Sequence, residues 1–149
     1  MHSDSGSSSY AVIPQRLLIV DDLVDHALTL AHLLELIGHE VRATHCAVQA
    51  LSVAEEFRPN MVLTDINMPR MNGFEFARRI RAQSWGREIV ICAITGCDRQ
   101  DHFEQSREAG IDHHLIKPLE IDKFLSLIAE SALKRSDARR DPSGLSAGR

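Results

Sequence analysis

Five short apolar runs alternate along the chain with stretches in which apolar residues recur at helical spacing. Because neighbouring parallel strands must be joined by a crossover, usually a helix, five strand–helix units in succession predict an α/β fold: a (βα)5 doubly wound, parallel five-stranded sheet with helices on both faces. The predicted strands are RLLIV (16–20), EVRAT (40–44), MVLT (61–64), EIVICAI (88–94) and HHLI (113–116). The predicted helices cover about 23–37, a stretch ending near 57, then 73–82, 99–109 and 121–134.

The two ends of the chain differ from this alternating body. Residues 1–14 are rich in serine, and residues 135–149 contain proline, glycine and polar residues without an apolar period. Such compositions are typical of flexible segments, so we expect a flexible leader (1–14), one domain (15–134) and a flexible tail (135–149). With 44% apolar residues, the chain can build one sizeable core.

Polar residues follow four of the five predicted strands. Asp21 and Asp22 end the first, Asp65 the third, Thr95 the fourth and Lys117 the fifth. Ligands of doubly wound sheets bind beyond the carboxyl ends of the strands, so these side chains should converge. Three carboxylates repel one another and call for a hard cation such as Mg²⁺, while a lysine and a hydroxyl can hold an anion. These are the parts of a phosphoryl-transfer site in which a carboxylate can be the nucleophile.

The motifs at these positions resemble the receiver domain of two-component response regulators, a CheY-like family with a flavodoxin-like fold. The matching segments are LLIVDD (17–22), LTDINMPRMNGFEF (63–76), AITG (93–96) and AGIDHHLIKPL (109–119). The resemblance covers about residues 15–134 and implies the strand order 2-1-3-4-5.

The resemblance also implies a role for each site residue. Asp65 is the expected phosphoacceptor, Thr95 the switch hydroxyl and Lys117 the phosphate-contacting lysine. Mg²⁺ is expected on Asp21, Asp22, Asp65 and the backbone carbonyl of Asn67.

Two positions depart from commoner receivers. The switch position on the fifth strand, usually Tyr or Phe, is His114, and the second residue after Thr95 is Cys97. If His114 enters an apolar space in the phosphorylated state, partner binding should weaken as the imidazole becomes protonated. The alternative is that His114 is an ordinary polar surface residue.

As a receiver, the chain is expected to be a signalling protein rather than an enzyme. The phosphoryl group should come from a sensor histidine kinase or a histidine phosphotransfer protein docked near the first helix. Output should pass to a downstream protein target on the last two helices, or onward through a phosphorelay. A chain excised from a larger hybrid kinase would use the same chemistry.

Charge and hydropathy argue against other classes. Between Arg16 and Leu133 acidic residues outnumber basic ones 18 to 12, which disfavours direct nucleic-acid binding. No apolar run approaches the roughly 20 residues of a membrane helix, so we expect a cytoplasmic protein that does not bind membranes. The three cysteines lack the spacing of a zinc site and should be reduced thiols.

Three alternatives remain open. A haloacid-dehalogenase-like phosphatase also uses an aspartate nucleophile, but carries it on the first strand as DxD. A binding module could have kept the fold without phosphorylation. The basic tail could contact nucleic acid or an anionic membrane, although acidic residues interrupt it.

Overall fold

The computed structural model describes residues 12–96 and 100–140 as five parallel strands in the order β2-β1-β3-β4-β5. This order and the helix–strand alternation confirm the predicted fold. The strands are β1 (Arg16–Val20), β2 (Glu40–Thr44), β3 (Met61–Asp65), β4 (Val90–Thr95) and β5 (His113–Ile116). The helices are α1 (Val24–Ile37), α2 (Ala47–Phe57), α3 (Gly73–Arg81), α4 (Gln100–Ala109) and α5 (Ile121–Arg140), with a 3₁₀ turn at Ser84–Gly86.

The sheet separates two apolar cores, since successive side chains of a strand point to opposite faces. Leu17 and Ile19 of β1 lie in one core with residues of α1 and α5, such as Phe124. Leu18 and Val20 lie in the other core with residues of α2, α3 and α4. The continuous apolar runs of β1, β3 and β4 are thereby explained, because these inner strands are covered on both faces.

Strand β4 begins at Val90 rather than at the predicted residue 88. The register pairs Val90 with Met61, the first residue of β3, so the two preceding residues have no strand partner. Ile89 is nevertheless buried, at 5% exposure. Because Ile89 is apolar, the sequence pattern included it in the predicted strand, although it precedes the hydrogen-bonded ladder.

Helix α5 runs to Arg140, six residues beyond its predicted end, so the structure differs from the predicted flexible tail in this segment. Arg135 donates hydrogen bonds to Gln15 Oε1 at 2.7 Å and to the Asn60 carbonyl at 3.4 Å, which attaches this part of the helix to the domain. The apolar periodicity ends earlier, so the sequence pattern missed this polar anchor. Residues 1–11 and 141–149 lie outside the described residues, and their flexibility stays a prediction.

None of the described helices is long and apolar enough to cross a membrane. Cys46 and Cys92 are free thiols, while Cys97 lies outside the described residues. Burial raises the pKa of the Cys92 thiol to about 12, so this cysteine is protonated and unreactive at neutral pH.

Candidate functional site

Three aspartates meet at the carboxyl edge of the sheet, as their positions at strand ends predicted. Asp21 and Asp22 directly follow β1, and Asp65 is the last residue of the neighbouring strand β3. One carboxylate oxygen of each lies within 4.8 Å of those of the other two. Asp65 is 4% exposed, so its charge has little contact with bulk water. Chemically, such a cluster is a site for a hard divalent cation.

The pKa of Asp21 reflects both its burial and its place in the acidic cluster. Burial raises the pKa of the Asp21 carboxyl above its ordinary value, and the neighbouring charge of Asp65 raises it further. The hydrogen bond that Asp21 Oδ1 accepts from the Leu23 N–H, at 2.9 Å, acts in the opposite direction. A bound cation would favour the charged carboxylate against both its burial and the repulsion from Asp65.

Lys117 reaches the cluster from the turn after β5. Its Nζ lies 3.0 Å from Asp65 Oδ2, and its backbone N–H donates to the Thr95 carbonyl at 2.8 Å. Thr95 is the last residue of β4, and it is fully buried. It directly follows Ile94, which pairs with Asp65 of β3. The ammonium group of Lys117 therefore pairs with Asp65, and Thr95 lies at the end of the strand between β3 and β5.

The loop from β3 to α3 shapes the remaining side of the site. The Asn67 N–H points to Asp65 Oδ1 at 3.4 Å, and the Gly73 N–H donates to the Ile66 carbonyl at 2.8 Å. A side chain at Gly73 would place its Cβ 2.5 Å from the Asp65 carbonyl oxygen, so only glycine allows this close approach. Asn72 caps α3 by accepting from the Glu75 N–H at 3.0 Å. The sequence NMPRMNG thus brings a helix start against the end of β3.

His114 is the second residue of β5, and its side chain packs against α4. Its Nδ1 is 2.8 Å from Ser106 Oγ, and its ring meets that of Phe103 edge-on with centroids 4.5 Å apart. Its Nε2 is buried and has no hydrogen-bond partner among the described residues. Burial lowers the pKa of His114, and the neighbouring His102 lowers it further, so the neutral imidazole is favoured. The partly buried, hydrogen-bonded side chain differs from the alternative of an ordinary surface residue.

Sequence reasoning missed the partners of His114. Phe103 and Ser106 are three residues apart and therefore lie on one face of α4, and Ser106 is only 3% exposed. A single serine in a polar helix gives no signal that it is buried. The pairing depends on the packing of α4 against β5, which periodicity alone does not specify.

Comparisons with known proteins agree with this geometry. The family model for the response regulator receiver domain matches residues 17–129. The polar-differentiation response regulator DivK of Brucella anthropi is 28% identical, over 78% of this chain and 94% of its own length. The virulence sensor protein BvgS of Bordetella bronchiseptica is 34% identical over 80% of this chain, which spans only 10% of that relative's length.

Solved structures give the same result. The chemotaxis response regulator CheY4 of Vibrio cholerae superimposes with a TM-score of 0.74 at 27% identity, covering 80% of this chain and 99% of that one. The receiver domain of the sensor histidine kinase PA1611 from Pseudomonas aeruginosa PAO1 gives a TM-score of 0.71 at 28% identity, covering 79% and 97%. That structure holds a magnesium ion coordinated in its active site cleft.

Proposed function

This chain belongs to the family of response regulator receiver domains, and from that premise we propose that it accepts a phosphoryl group onto Asp65 from a phosphohistidine donor in a Mg²⁺-dependent reaction. One observation carries the proposal. Asp65 is a nearly buried carboxylate whose Oδ2 is paired with Lys117 at 3.0 Å, and two further aspartates lie within metal-sharing distance of it. A cation site and an anion-holding lysine therefore flank one nucleophile.

The donor set fits Mg²⁺. Asp21, Asp22 and Asp65 supply oxygen ligands, which this ion prefers, and the Asn67 carbonyl is the proposed fourth protein ligand. When bound, the ion neutralises charge on the phosphoryl oxygens. Burial, and to a smaller extent the charge of Asp65, raises the pKa of Asp21, and a bound cation would favour its charged form.

In the transfer step, a carboxylate oxygen of Asp65 attacks the phosphorus of the phosphohistidine. A P–O bond forms while the P–N bond breaks, and the departing imidazole keeps the bonding electron pair. Lys117 Nζ, which pairs with Asp65 before the reaction, moves its ion pair to a phosphoryl oxygen. Positioning and charge neutralisation supply most of the catalysis in such transfers.

Thr95 and His114 form the proposed switch. A phosphoryl oxygen on Asp65 is a new acceptor for the Thr95 hydroxyl, which lies on the adjacent strand. Movement of Thr95 would change the space beside β5, where His114 is held by Ser106. The signal then passes to a protein target or onward to a second phosphotransfer protein. The proposed donor is a sensor histidine kinase or a histidine phosphotransfer protein.

Incubation with a radiolabelled small acyl phosphate tests the proposal. Wild type should incorporate label with Mg²⁺, and chelation of the ion should abolish it. Asp65→Asn should incorporate none while keeping its far-ultraviolet circular dichroism spectrum. A folded wild-type protein that takes up no label would instead support a phosphorylation-independent binding module.

A further inference from the structure

A basic cleft lies at the amino edge of the sheet, opposite the acidic site. It occupies about 770 Å³ between the loop before β3, the 3₁₀ turn, the loop before β4 and α5. The five residues of β3 separate it from Asp65 by roughly 15 Å, at about 3.3 Å per residue. Its lining residues are Arg58, Pro59, Asn60, Ser84, Trp85, Arg87, Glu88, Ile89 and Arg135.

The charge of this cleft is opposite to that of the body as a whole. Three arginines and one glutamate line it, which gives a net charge of +2, whereas the chain has a net charge of −4. Arg135 is held in the wall by Gln15 and the Asn60 carbonyl. Neither Arg58 nor Arg87 forms an ion pair with any residue that the structure describes. Two guanidinium groups are thus available to an anion.

The side chain of Arg58 is fixed by two contacts that leave part of its guanidinium group available to an anion. Its guanidinium carbon lies 5.1 Å from the centroid of the Trp85 ring, and its Nε donates to the Glu55 carbonyl, which leaves both Nη atoms for other acceptors. Its backbone is left-handed, with φ of 53°, at the helix C-terminus where glycine is the usual residue. An arginine in this conformation accepts backbone strain, which is often found at binding sites.

Further donors and an apolar wall complete the cleft. Asn60 uses its Oδ1 to accept from the Arg16 N–H, which leaves its Nδ2 group facing no described partner. Trp85, Pro59 and Ile89 supply apolar surface beside these donors. The donors come from several chain segments and can contact several oxygens of one phosphate group, which guanidinium groups match in geometry.

We propose that this cleft binds a small organic phosphate monoester. The phosphate carries close to two negative charges at neutral pH, which matches the net charge of the lining, and the organic group lies against Trp85. The cleft volume is within the range of small-molecule sites. Binding requires neither Mg²⁺ nor Asp65, so this inference is independent of the phosphotransfer function.

Trp85 is the only tryptophan in the sequence, so its fluorescence reports directly on the cleft. Wild type in a chelating buffer is titrated with phenyl phosphate, inorganic phosphate and benzoate. Phenyl phosphate should give a saturable change with a Kd about tenfold lower than that of either other probe, because only phenyl phosphate combines two charges with a ring. No saturable change, or equal Kd values for phenyl phosphate and benzoate, would overturn the proposal.

Calorimetric measurement of the Kd for phenyl phosphate in variants tests which residues form the site. Arg87→Gln and Arg58→Gly should each weaken phenyl phosphate binding about tenfold, and glycine suits the backbone conformation at residue 58. Glu88→Gln should strengthen binding. The matched control Arg107→Gln removes an exposed charge on α4, and Asp65→Asn removes the acceptor; both should leave the Kd unchanged. Unchanged binding in Arg58→Gly and Arg87→Gln, or equal weakening in Arg107→Gln, would contradict the assignment.

Discussion

At the scale of single residues, the negative charge of Asp21 in the acidic cluster is unfavourable, and a bound cation would stabilise it. Asp21 is partly buried beside Asp65, and its raised pKa means that its negative charge is less favourable in the folded than in the unfolded protein. The Asp21 carboxyl therefore contributes to folding stability below its pKa in the unfolded protein. This contribution is lost as pH rises through its raised pKa in the folded protein. At neutral pH the charged carboxylate opposes folding.

Asp21→Asn should raise the melting temperature in the absence of Mg²⁺ by a few degrees. The amide removes the unfavourable charge and keeps an oxygen that can accept from the Leu23 N–H. Addition of Mg²⁺ should stabilise the variant less than wild type, because one ligand charge is missing. Thermal unfolding with and without the ion measures both effects. The exposed Glu104→Gln serves as the charge control, and a drop in the Mg²⁺-free melting temperature of Asp21→Asn would contradict the account.

His114 gives a second residue-scale prediction, with the opposite pH dependence. Its pKa is lowered mainly by burial, so its stability contribution is present above the unfolded pKa of about 6.5 and is lost as pH falls through the folded value. Wild type should therefore lose stability on acidification below about pH 6.5, and His114→Phe should lose less. Part of the dependence should remain, because burial also lowers the pKa of His39.

Denaturant unfolding of both proteins at pH 7.5 and at pH 5.5 measures this difference. Identical losses of unfolding free energy would show that His114 does not titrate as its buried, Ser106-bonded position requires. The role of His114 in the phosphorylated state stays a prediction that such unfolding data do not address.

At the scale of elements, the loop between β3 and α3 determines the position of Asp65, the proposed phosphoacceptor. Gly73→Ala should destabilise the domain by about 1–3 kcal/mol, since the new methyl group would lie 2.5 Å from the Asp65 carbonyl oxygen and backbone must move. Gly96→Ala is the matched control, because no atom lies within 4 Å of its added Cβ. Equal stability of the two variants in urea unfolding would contradict the close approach.

Elements were predictable from the sequence to different degrees. Strands β1, β3 and β4 are covered on both faces and appear as continuous apolar runs, so periodicity identified them. The end of α5 was not predictable, because Arg135 anchors it through polar contacts with Gln15 and Asn60 that are distant in sequence. Likewise, the strand ends predicted the convergence of Asp21, Asp65 and Lys117, whereas the environment of His114 required the packed structure.

At the scale of the whole molecule, Lys117 is the proposed connection between the phosphate and the rest of the domain. It links the acidic site to the turn after β5, and its backbone bonds to Thr95. Lys117→Ala should change Mg²⁺ affinity little but reduce the structural response to phosphorylation in α4 and β5. Amide hydrogen exchange at matched phosphate occupancy measures that response, with the exposed Lys134→Ala as control. An undiminished response in Lys117→Ala would contradict this role.

The proposed function of the whole molecule depends on which residue carries the phosphoryl group. Locating the modification tests this directly: the protein is phosphorylated with an acyl phosphate and Mg²⁺, the acyl phosphate on the protein is trapped by borohydride reduction, and peptides are sequenced by mass spectrometry. We expect a single trapped site, at Asp65, and no trapped site when Mg²⁺ is chelated before the phosphorylation. Trapping at Asp21 or Asp22, or unchanged modification of Asp65→Asn, would contradict it.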